Sequence, residues 1–371
     1  MKKFTVMVVI GDDQEALKMA PIIDKLKREF EKFKVSIVST ASNKPAVKKI
    51  LGLYHVKTNI DLNVRKRNQQ LNEYIVAVTA GITKAIHHEK PDLVLVHGDS
   101  TTSLGASLSA FYQKISVGQI DAGLRYGNKY SSFPAEMNRR LTSVIADFHF
   151  VSTNSAKANL IKEGIQENHI FMTGNTVIET LPKTVKEKFI YNEISIHSDN
   201  SLILLSLDQL EEINPKLEEL YAAIKQVVAK NSKVEIIYPL HLNPVLRNHA
   251  IDTLSTIERI HLVEPLDVGK YHNLINQAQL VLTDTSSMYE VATSLKTPLL
   301  IMAADIDHPE IIHTGVGKLI EMNSVTITEE VMKLMTDTFY YDSMLLNEEV
   351  FTNGLESASE KIVEVIKKQI R

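Results

Sequence analysis

The sequence predicts an α/β protein of two Rossmann-like, doubly wound domains that face a cleft. Its 371 residues exceed the size at which a single core stops growing, about 250–300 residues, so two domains are expected. Short apolar, β-branched runs alternate with amphipathic stretches of helical period from one end to the other. Strand–helix alternation of this kind favours parallel sheets covered by helices on both faces.

The strands are predicted in two series separated by a polar stretch without periodicity at residues 184–200. The first series is Phe4–Ile10, Val35–Ser39, Leu93–Val96, Ser116–Gln119, Phe148–Val151 and Ile170–Met172; the second is Leu202–Leu205, Val234–Tyr238, Ile260–Val263, Leu280–Thr283 and Pro298–Ile301. The helical stretches between them include Glu15–Glu29, Gln70–His88, Ala135–Ile145 and Met288–Leu295. We place the domain boundary near Gly174, giving domains 1–174 and 175–354, and expect a C-terminal helix over 355–371 to pack back on the first domain.

Composition narrows the classes of function. The 41 basic and 45 acidic residues leave a net charge of −4, which gives no electrostatic reason to expect nucleic acid or an anionic membrane as partner. The absence of cysteine from the sequence excludes disulfides, thiolate ligands and a cysteine nucleophile. The first apolar run is short and ends in acids, so it predicts a strand rather than a signal peptide, and a cytoplasmic protein is expected. No metal-ligand spacing, Gly-x-Gly-x-x-Gly or Walker motif occurs in the sequence, and no cofactor or metal is expected.

Polar clusters follow several predicted strands of the first half, where parallel sheets bind their ligands. Asp99 and three hydroxyl residues follow Leu93–Val96, and they suit either a helix cap or a phosphate or sugar contact about equally. Asp121 and Arg125 follow the next strand, and a loop then leads to Glu136, Asn138, Arg139 and Arg140. Two acids and three arginines here suggest a binding or catalytic site, with a structural ion-pair network as the alternative.

The second half carries two further clusters at strand ends. His241 follows Val234–Tyr238 between two prolines that stiffen the loop. Thr285, Ser286 and Ser287 precede the predicted helix Met288–Leu295. Hydroxyls, unpaired N–H groups and the positive end of a helix dipole together suit an anion such as a pyrophosphate.

Taken in order, these clusters resemble the non-hydrolysing UDP-N-acetylglucosamine 2-epimerase family. The strings that carry the resemblance are Glu15–Pro21, Pro91–Thr102 (PDLVLVHGDSTT), Asp121–Arg125 (DAGLR), Pro134–Leu141 (PAEMNRRL), Phe171–Thr176, Tyr238–Pro244 (YPLHLNP), Glu264–Asp267, Thr283-Asp284 and His308–Glu310. They occur in the family's order along the whole chain, which makes the signal specific.

The resemblance implies the glycosyltransferase-B fold, a homodimer and no cofactor. It also implies interconversion of UDP-N-acetylglucosamine and UDP-N-acetylmannosamine, by elimination of UDP and its re-addition, to supply precursors of cell-surface polysaccharide. That chemistry needs groups that remove and return a proton and support for the departing UDP. The matching positions imply catalytic roles for Lys18, Asp99, Asp121 and Glu136, and contacts to the UDP-sugar from Arg125, Asn138, Arg139, His241, Thr285, Ser286, Ser287 and Glu290.

Several positions depart from the family's pattern. Asp13 and Gln209 stand where the family has arginine, Asp208 where it has histidine, Ala135 where it has glutamate, and Asp121 is one methylene shorter than the family's glutamate. Three interpretations stay open: an epimerase with substituted site groups, a catalytically weak or inactive paralogue that binds a UDP-sugar or a partner protein, and a related enzyme of the same fold. The third has the least support, because the DAGLR and EMNRR strings point to the epimerases.

Overall fold

The computed structural model describes residues 3–41, 43–66, 69–130, 132–191, 194, 199–208, 212–303, 306, 308–345 and 357–369. The chain divides into two compact units, Met1–Thr180 with Phe351–Arg371, and Leu181–Val350. The first unit thus extends six residues beyond the boundary expected from sequence (180 against 174). The physical reason is a 3₁₀ turn at Thr176–Thr180, in which the Thr176 hydroxyl donates to the carbonyl of Lys18 at 2.7 Å.

The described residues of the first unit include one sheet of seven parallel strands. They are β1 (Phe4–Ile10), β2 (Phe33–Ser39), β3 (Ile60–Asp61), β4 (Leu93–His97), β5 (Ser116–Ile120), β6 (Phe148–Val151) and β7 (Ile170–Met172), in the spatial order β3-β2-β1-β4-β5-β6-β7. In β1, an inner strand, Val8 pairs with Ile37 on one side and Leu95 on the other, and residues Val6–Ile10 are fully buried. The sequence pattern missed β3, which at two residues is too short to show a period.

Helices cover this sheet. They are α1 (Asp13–Arg28), α2 (Lys44–Gly52), α3 (Leu71–Glu89), α4 (Thr101–Tyr112), α5 (Ala135–Ile145) and α6 (Asn154–Lys162), with a 3₁₀ turn at Glu167–His169. Side-chain caps begin several of them; among these, Asp12 accepts from the N–H of Glu15, Ser100 from that of Ser103, and Thr153 from that of Ala156. These caps sit just after β1, β4 and β6, so each helix starts at the carboxyl edge of the sheet.

The second unit repeats the arrangement. Among its described residues, six parallel strands lie in the order β10-β9-β8-β11-β12-β13: β8 (Ser201–Ser206), β9 (Val234–Pro239), β10 (Ile260–Val263), β11 (Leu280–Thr283), β12 (Leu299–Ile301) and β13 (Gly317–Leu319). Its helices are α7 (Leu181–Thr184), α8 (Pro215–Lys230), α9 (Pro244–Leu254), α10 (Val268–Gln277), α11 (Tyr289–Ser294), α12 (Pro309–His313), α13 (Ser324–Thr336) and α14 (Thr338–Leu345). The short strand β13 was also missed from sequence.

The last helix, α15 (Ala358–Lys367), belongs to the first unit and packs against α1. Glu179 holds its start, accepting from the N–H of Ser359 at 2.8 Å and from the Ser359 hydroxyl at 2.6 Å. An ion pair between Lys25 and Glu360 joins the two helices. The ends of the predicted span, 355–356 and 370–371, lie outside the described residues.

The strand orders locate the chemistry. In each sheet the order reverses direction at one place, between β1 and β4 in the first unit and between β8 and β11 in the second. In open parallel sheets, ligands bind outside the carboxyl ends of the strands at such a reversal. A ligand-binding site is therefore expected among the residues that follow these four strands.

Gly123 shapes the chain directly after β5. Its φ is +87°, and a Cβ at this position would lie 2.2 Å from the carbonyl oxygen of Ala156 in α6. The Asn159 side chain donates to the Gly123 carbonyl at 3.0 Å from the same helix. The segment that carries Asp121 and Arg125 can therefore lie against α6 only if residue 123 has no side chain.

We expect Gly123→Ala to destabilise the first unit by about 2–5 kcal/mol, the sum of a left-handed backbone and a steric overlap with main chain. Urea unfolding followed by circular dichroism measures the change. Gly127→Ala is the matched control, since Gly127 has the same φ of +87° but open space around the missing Cβ. The control should lose only the backbone contribution, about 1–2 kcal/mol. Equal losses in the two variants would contradict the close approach.

Candidate functional site

A buried carboxylate, Asp121, lies at the carboxyl edge of the first sheet between two basic side chains. In the β4–β5 register His97 pairs with Ile120. His97 and the next residue along β5, Asp121, therefore lie at the same edge of the sheet. His97 Nε2 lies 3.3 Å from Asp121 Oδ2, and Lys18 of α1 forms an ion pair with the same oxygen. The side chains of Asp121, His97 and Lys18 are 5%, 11% and 13% exposed. We call these three residues the Asp121 cluster.

The two basic groups keep Asp121 ionised. Burial opposes its charge, but the ammonium of Lys18 and the imidazole of His97 outweigh that effect and hold the pKa of Asp121 well below its usual range. Asp121 itself adopts φ +58°, a left-handed conformation that aspartate tolerates better than most residues. Both contacts fall on Oδ2, and the described residues offer no hydrogen bond to Oδ1.

Asp99 stands beside this cluster, two residues after His97. Its carboxylate pairs with Arg139 of α5 at 2.6 Å and remains 32% exposed. Asn138 donates to the main-chain carbonyl of Asp99 at 2.9 Å, and the Arg139 guanidinium lies over the ring of Tyr126, 5.2 Å from its centroid. The structure thus brings Asp99, Asn138 and Arg139 together, and it leaves the Asp99 carboxylate within reach of solvent.

Glu136 and Arg125 are bound into ion pairs of their own. Glu136 is fully buried; it accepts from the N–H of Tyr126 at 3.0 Å and from Arg140 Nε at 2.9 Å. Arg125 forms a two-pronged pair with Glu163 of α6, at 2.8 and 2.6 Å. These contacts hold the loop between β5 and α5, so the ion-pair network anticipated as an alternative is present here alongside the candidate site.

A second buried acid, Glu15, lies under the first loop. It accepts from the N–H of Gly11, and the hydroxyl of Ser103 lies 3.3 Å from its Oε1. Burial, reinforced by the charge of Asp12, raises the pKa of Glu15 well above its ordinary value. The same Ser103 hydroxyl donates to the carbonyl of His97 at 2.6 Å. Glu15 therefore fixes the loop that precedes α1, and Ser103 fixes the end of β4.

In the second unit, His241 follows β9. Its Nδ1 accepts from the N–H of Asn243 at 2.9 Å, so the neutral ring carries its proton on Nε2. The Asn243 side chain in turn accepts from the N–H of Val245 at the start of α9. The loop thereby presents His241 as a donor through Nε2.

The segment after β11 differs from the helix predicted there. A 3₁₀ turn at Ser286–Met288 comes first, and α11 is only the six residues Tyr289–Ser294. The predicted helix Met288–Leu295 was therefore too long, and its dipole is weaker than the sequence suggested. Thr285 is buried, its N–H donating to the Thr283 hydroxyl at 3.1 Å, and Ser286 opens the turn. The side chain of Ser287 lies outside the described residues.

Glu290 lies in α11 and is buried. Its Oε1 is 3.4 Å from Nε2 of His308, which is buried as well. This contact links two segments that carry the family resemblance. One is Thr283-Asp284 with the helix that follows it, and the other is His308–Glu310. Glu290 thus sits one helical turn after the hydroxyl-rich segment.

The substituted positions lie at the same strand ends. Asp13 is the first residue of α1, Ala135 the first of α5, and Asp208 follows β8 with its side chain exposed. The main-chain N–H of Asp208 donates to Asp284 at 2.8 Å, which ties the ends of β8 and β11 together. Gln209 lies outside the described residues.

His97 lies within the PDLVLVHGDSTT string but is assigned no role from sequence, and Glu163 is in none of the strings. His97 could have been found from its place as the last residue of a buried strand that pairs with the Asp121 strand. Glu163 carried no signal, because a glutamate near a helix end is common on any surface.

None of the helices in the described part of the chain combines the length and the apolar composition that crossing a bilayer requires. Within the same residues, no group of three or more His, Cys, Asp or Glu side chains is arranged to hold a metal ion.

We expect Lys18→Met to destabilise the protein by about 3 kcal/mol at pH 7, because it leaves the Asp121 carboxylate buried without its cation. The contribution of an acid with a lowered pKa is present above its unfolded pKa and disappears as pH falls, so the difference from wild type should shrink towards pH 4 and below. Calorimetric melting temperatures between pH 3.5 and 8 measure it. Lys34→Met, which breaks the half-exposed pair with Glu89, should have little effect at any pH. A loss independent of pH would contradict the assigned role of the ion pair.

Comparison with known proteins agrees with this geometry. The model of the UDP-N-acetylglucosamine 2-epimerase family matches residues 24–367. The chain is 37% identical to the UDP-N-acetylglucosamine 2-epimerase of Bacillus subtilis, over 98% of this chain and 95% of the relative.

Solved structures give the same result. The UDP-GlcNAc 2-epimerase of Neisseria meningitidis bound to UDP-GlcNAc superposes with a TM-score of 0.92 at 34% identity, covering 98% of this chain and 100% of that one. The enzyme of Methanocaldococcus jannaschii in complex with UDP-GlcNAc and UDP has a TM-score of 0.83 at 27% identity, with 98% and 100% covered. The family model and the relatives span nearly all of the sequence. The chain therefore belongs to the UDP-N-acetylglucosamine 2-epimerase family.

Proposed function

We propose that this protein interconverts UDP-N-acetylglucosamine and UDP-N-acetylmannosamine. The observation that carries the proposal is the Asp121 cluster: a buried, ionised carboxylate with one oxygen left open, at the carboxyl edge of a sheet in a chain of this family. A carboxylate so placed suits removal of a proton from carbon, because water is excluded and the group is held in its basic form.

The proposed reaction uses the first unit for proton transfer. Asp121 takes the proton from C2, the C1–O bond breaks with its electrons going to UDP, and a C1–C2 double bond forms. Return of UDP to C1 and of a proton to the opposite face of C2 gives the epimer. Asp99, which is partly exposed and paired with Arg139, is proposed to take up a proton from solvent and deliver it to C2. Asp121 then releases to solvent the proton that it removed. Lys18 stabilises the charge on Asp121, and Glu136 remains a predicted catalytic residue, whose contacts also hold Tyr126.

The second unit is proposed to hold the nucleotide. His241 offers an Nε2–H donor, and Thr285, Ser286 and Ser287 supply hydroxyls before α11. Glu290, one turn later, is suited to sugar hydroxyls, and Arg125, Asn138 and Arg139 of the first unit are proposed to assist binding. The ligand found in the Neisseria relative, UDP-GlcNAc, supports this choice of substrate.

A catalytically weak or inactive paralogue remains the second candidate. The observation that favours it is the loss of basic side chains at strand ends: Asp208 and Asp13 stand where histidine and arginine are expected. Losing one general acid or base typically slows a reaction by ~10²–10⁴. We therefore propose an epimerase slower than enzymes usually are. We propose that the protein acts in the cytoplasm, because a charged nucleotide sugar does not cross an apolar bilayer unaided.

The test is deuterium incorporation at C2 when the protein is incubated with UDP-N-acetylglucosamine in D₂O. Wild type should incorporate deuterium, and Asp121→Asn should lose at least about 10²-fold in rate because the amide cannot accept the proton. Asp99→Asn should lose as much. Proton NMR of the sugar measures the exchange.

Asp24→Asn is the matched control for these two variants, since Asp24 pairs only on the surface of α1 with Arg28 and should keep the wild-type rate. Measurable UDP binding by calorimetry without any exchange in wild type would favour the inactive paralogue. Exchange that survives in Asp121→Asn would show that another group removes the proton.

A homodimer is the second part of the proposal. Exposed apolar side chains occur on three successive helices that pack on one another: Val76 of α3, Phe111 and Tyr112 of α4, and Val144 of α5, with exposed fractions of 58–77%. Apolar side chains gathered on neighbouring helices are typical of a surface that another protein covers.

Light scattering at micromolar concentration should give twice the mass of one chain. Phe111→Lys should shift the mass towards the monomer, because a buried interface does not accept an unpaired charge. Phe339→Lys is the control: that phenylalanine is 91% exposed and belongs to the second unit, and its replacement should leave the mass unchanged. A monomer mass for wild type would refute the dimer.

A further inference from the structure

We propose that His97 is the positioning residue of Asp121, holding Oδ2 so that Oδ1 is the atom presented to the substrate. The inference rests on the proposed epimerase function and adds a residue to its machinery. His97 itself does not meet the substrate in this assignment; it acts through the carboxylate.

The placement of His97 follows from the sheet. Strands β4 and β5 are adjacent and parallel, and their register sets His97 opposite Ile120, the last residue before Asp121. The Ser103 hydroxyl donates to the His97 carbonyl at 2.6 Å, which fixes the main chain from which the imidazole extends. Its Nε2 then lies 3.3 Å from Asp121 Oδ2.

Lys18 alone would not orient the carboxylate. Its ammonium is a compact charge on a flexible stem with three donors, and it can follow either oxygen of a rotating carboxylate. The imidazole is a rigid ring with one donor direction at Nε2. Because both groups meet on Oδ2, and because no described residue donates to Oδ1, the carboxylate has one closed and one open oxygen. A side chain as short as aspartate has only two torsions for a donor to restrain.

The charged groups around His97 come from several elements. Lys18 lies in α1 and Asp12 is the N-cap residue of that helix. Asp99 lies two residues after His97 in the chain, and Asp121 directly follows β5. Positioning needs only an Nε2–H, which the neutral tautomer and the imidazolium both carry. Removing His97 takes one of the two donors from Oδ2, so it should raise the pKa of Asp121 as well as loosen its orientation.

The experiment compares His97→Ala and His97→Gln with wild type in the full chain. A glutamine side-chain nitrogen reaches nearly the place of Nε2 and can donate to Oδ2, whereas alanine cannot. Two readouts are taken: kcat and KM for deuterium exchange at C2 of UDP-N-acetylglucosamine, and the pKa of Asp121 from ¹³C-carboxyl NMR, assigned by its absence in Asp121→Asn. His88→Ala, at an exposed histidine near the end of α3, is the control.

We expect His97→Ala to lower kcat by about 10–100-fold with little change in KM, and to raise the pKa of Asp121 by about one unit. His97→Gln should recover most of the rate and return the pKa towards its wild-type value. His88→Ala should match wild type in both readouts.

Wild-type kcat and an unchanged Asp121 pKa in His97→Ala would overturn the proposal. It would also be overturned if His97→Gln were as slow as His97→Ala with an equally lowered melting temperature, since that pattern indicates a structural role alone. Failure of wild type to exchange deuterium would instead refute the epimerase function. The NMR titration would then still decide the role of His97: a raised Asp121 pKa in His97→Ala supports positioning, and an unchanged one overturns it.

Discussion

A carboxylate taken out of water needs a cation, and in this protein that constraint joins distant segments of the first unit. Asp121 directly follows β5, Lys18 lies in the second turn of α1, and their ion pair joins the helix to the carboxyl end of that strand. The pair requires the start of α1 to lie close to the end of β5. It also requires the chain to turn sharply after Ile120, which the left-handed backbone of Asp121 and the bare Cα of Gly123 provide.

Around this pair the polar groups divide into two kinds. Glu136 with Arg140, and Arg125 with Glu163, form ion pairs within the unit that also hold loops in place. Asp121 and Asp99 have basic partners as well, and Asp121 keeps one oxygen without a hydrogen bond from the described residues while the Asp99 carboxylate is partly exposed. From the sequence alone the two kinds look the same, since both are acidic residues that occur near basic ones. Only the contacts in the folded protein distinguish them.

The substitutions relative to the family's pattern lie outside the core of the fold. Asp13, Ala135 and Asp208 lie at helix starts or strand ends, where a change of side chain leaves the core untouched. The residues that define the buried strands, such as Val6–Ile10 and Leu280–Leu282, are apolar and buried. The chain therefore has the fold of the epimerases and carboxylates at the first sheet's edge, although several charged groups of the family's pattern are replaced.

The sequence by itself determined the class of the fold, most strands, the covering helices and the family, because those depend on the period of apolar residues and on short strings. Phe4–Ile10, Phe148–Val151 and Ala135–Ile145 needed no tertiary information. Strands of two or three residues, such as Ile60–Asp61 and Gly317–Leu319, have no period, and only pairing with a neighbour creates them. Which acid meets which base was likewise decided by tertiary structure: Lys18 and Asp121 are 103 residues apart in the chain, and the order of strands in the sheet brings them together. Strand order results from packing over the whole unit, which is why residue types and spacing could point to Asp121 while leaving its partners, His97 among them, to be found in the folded protein.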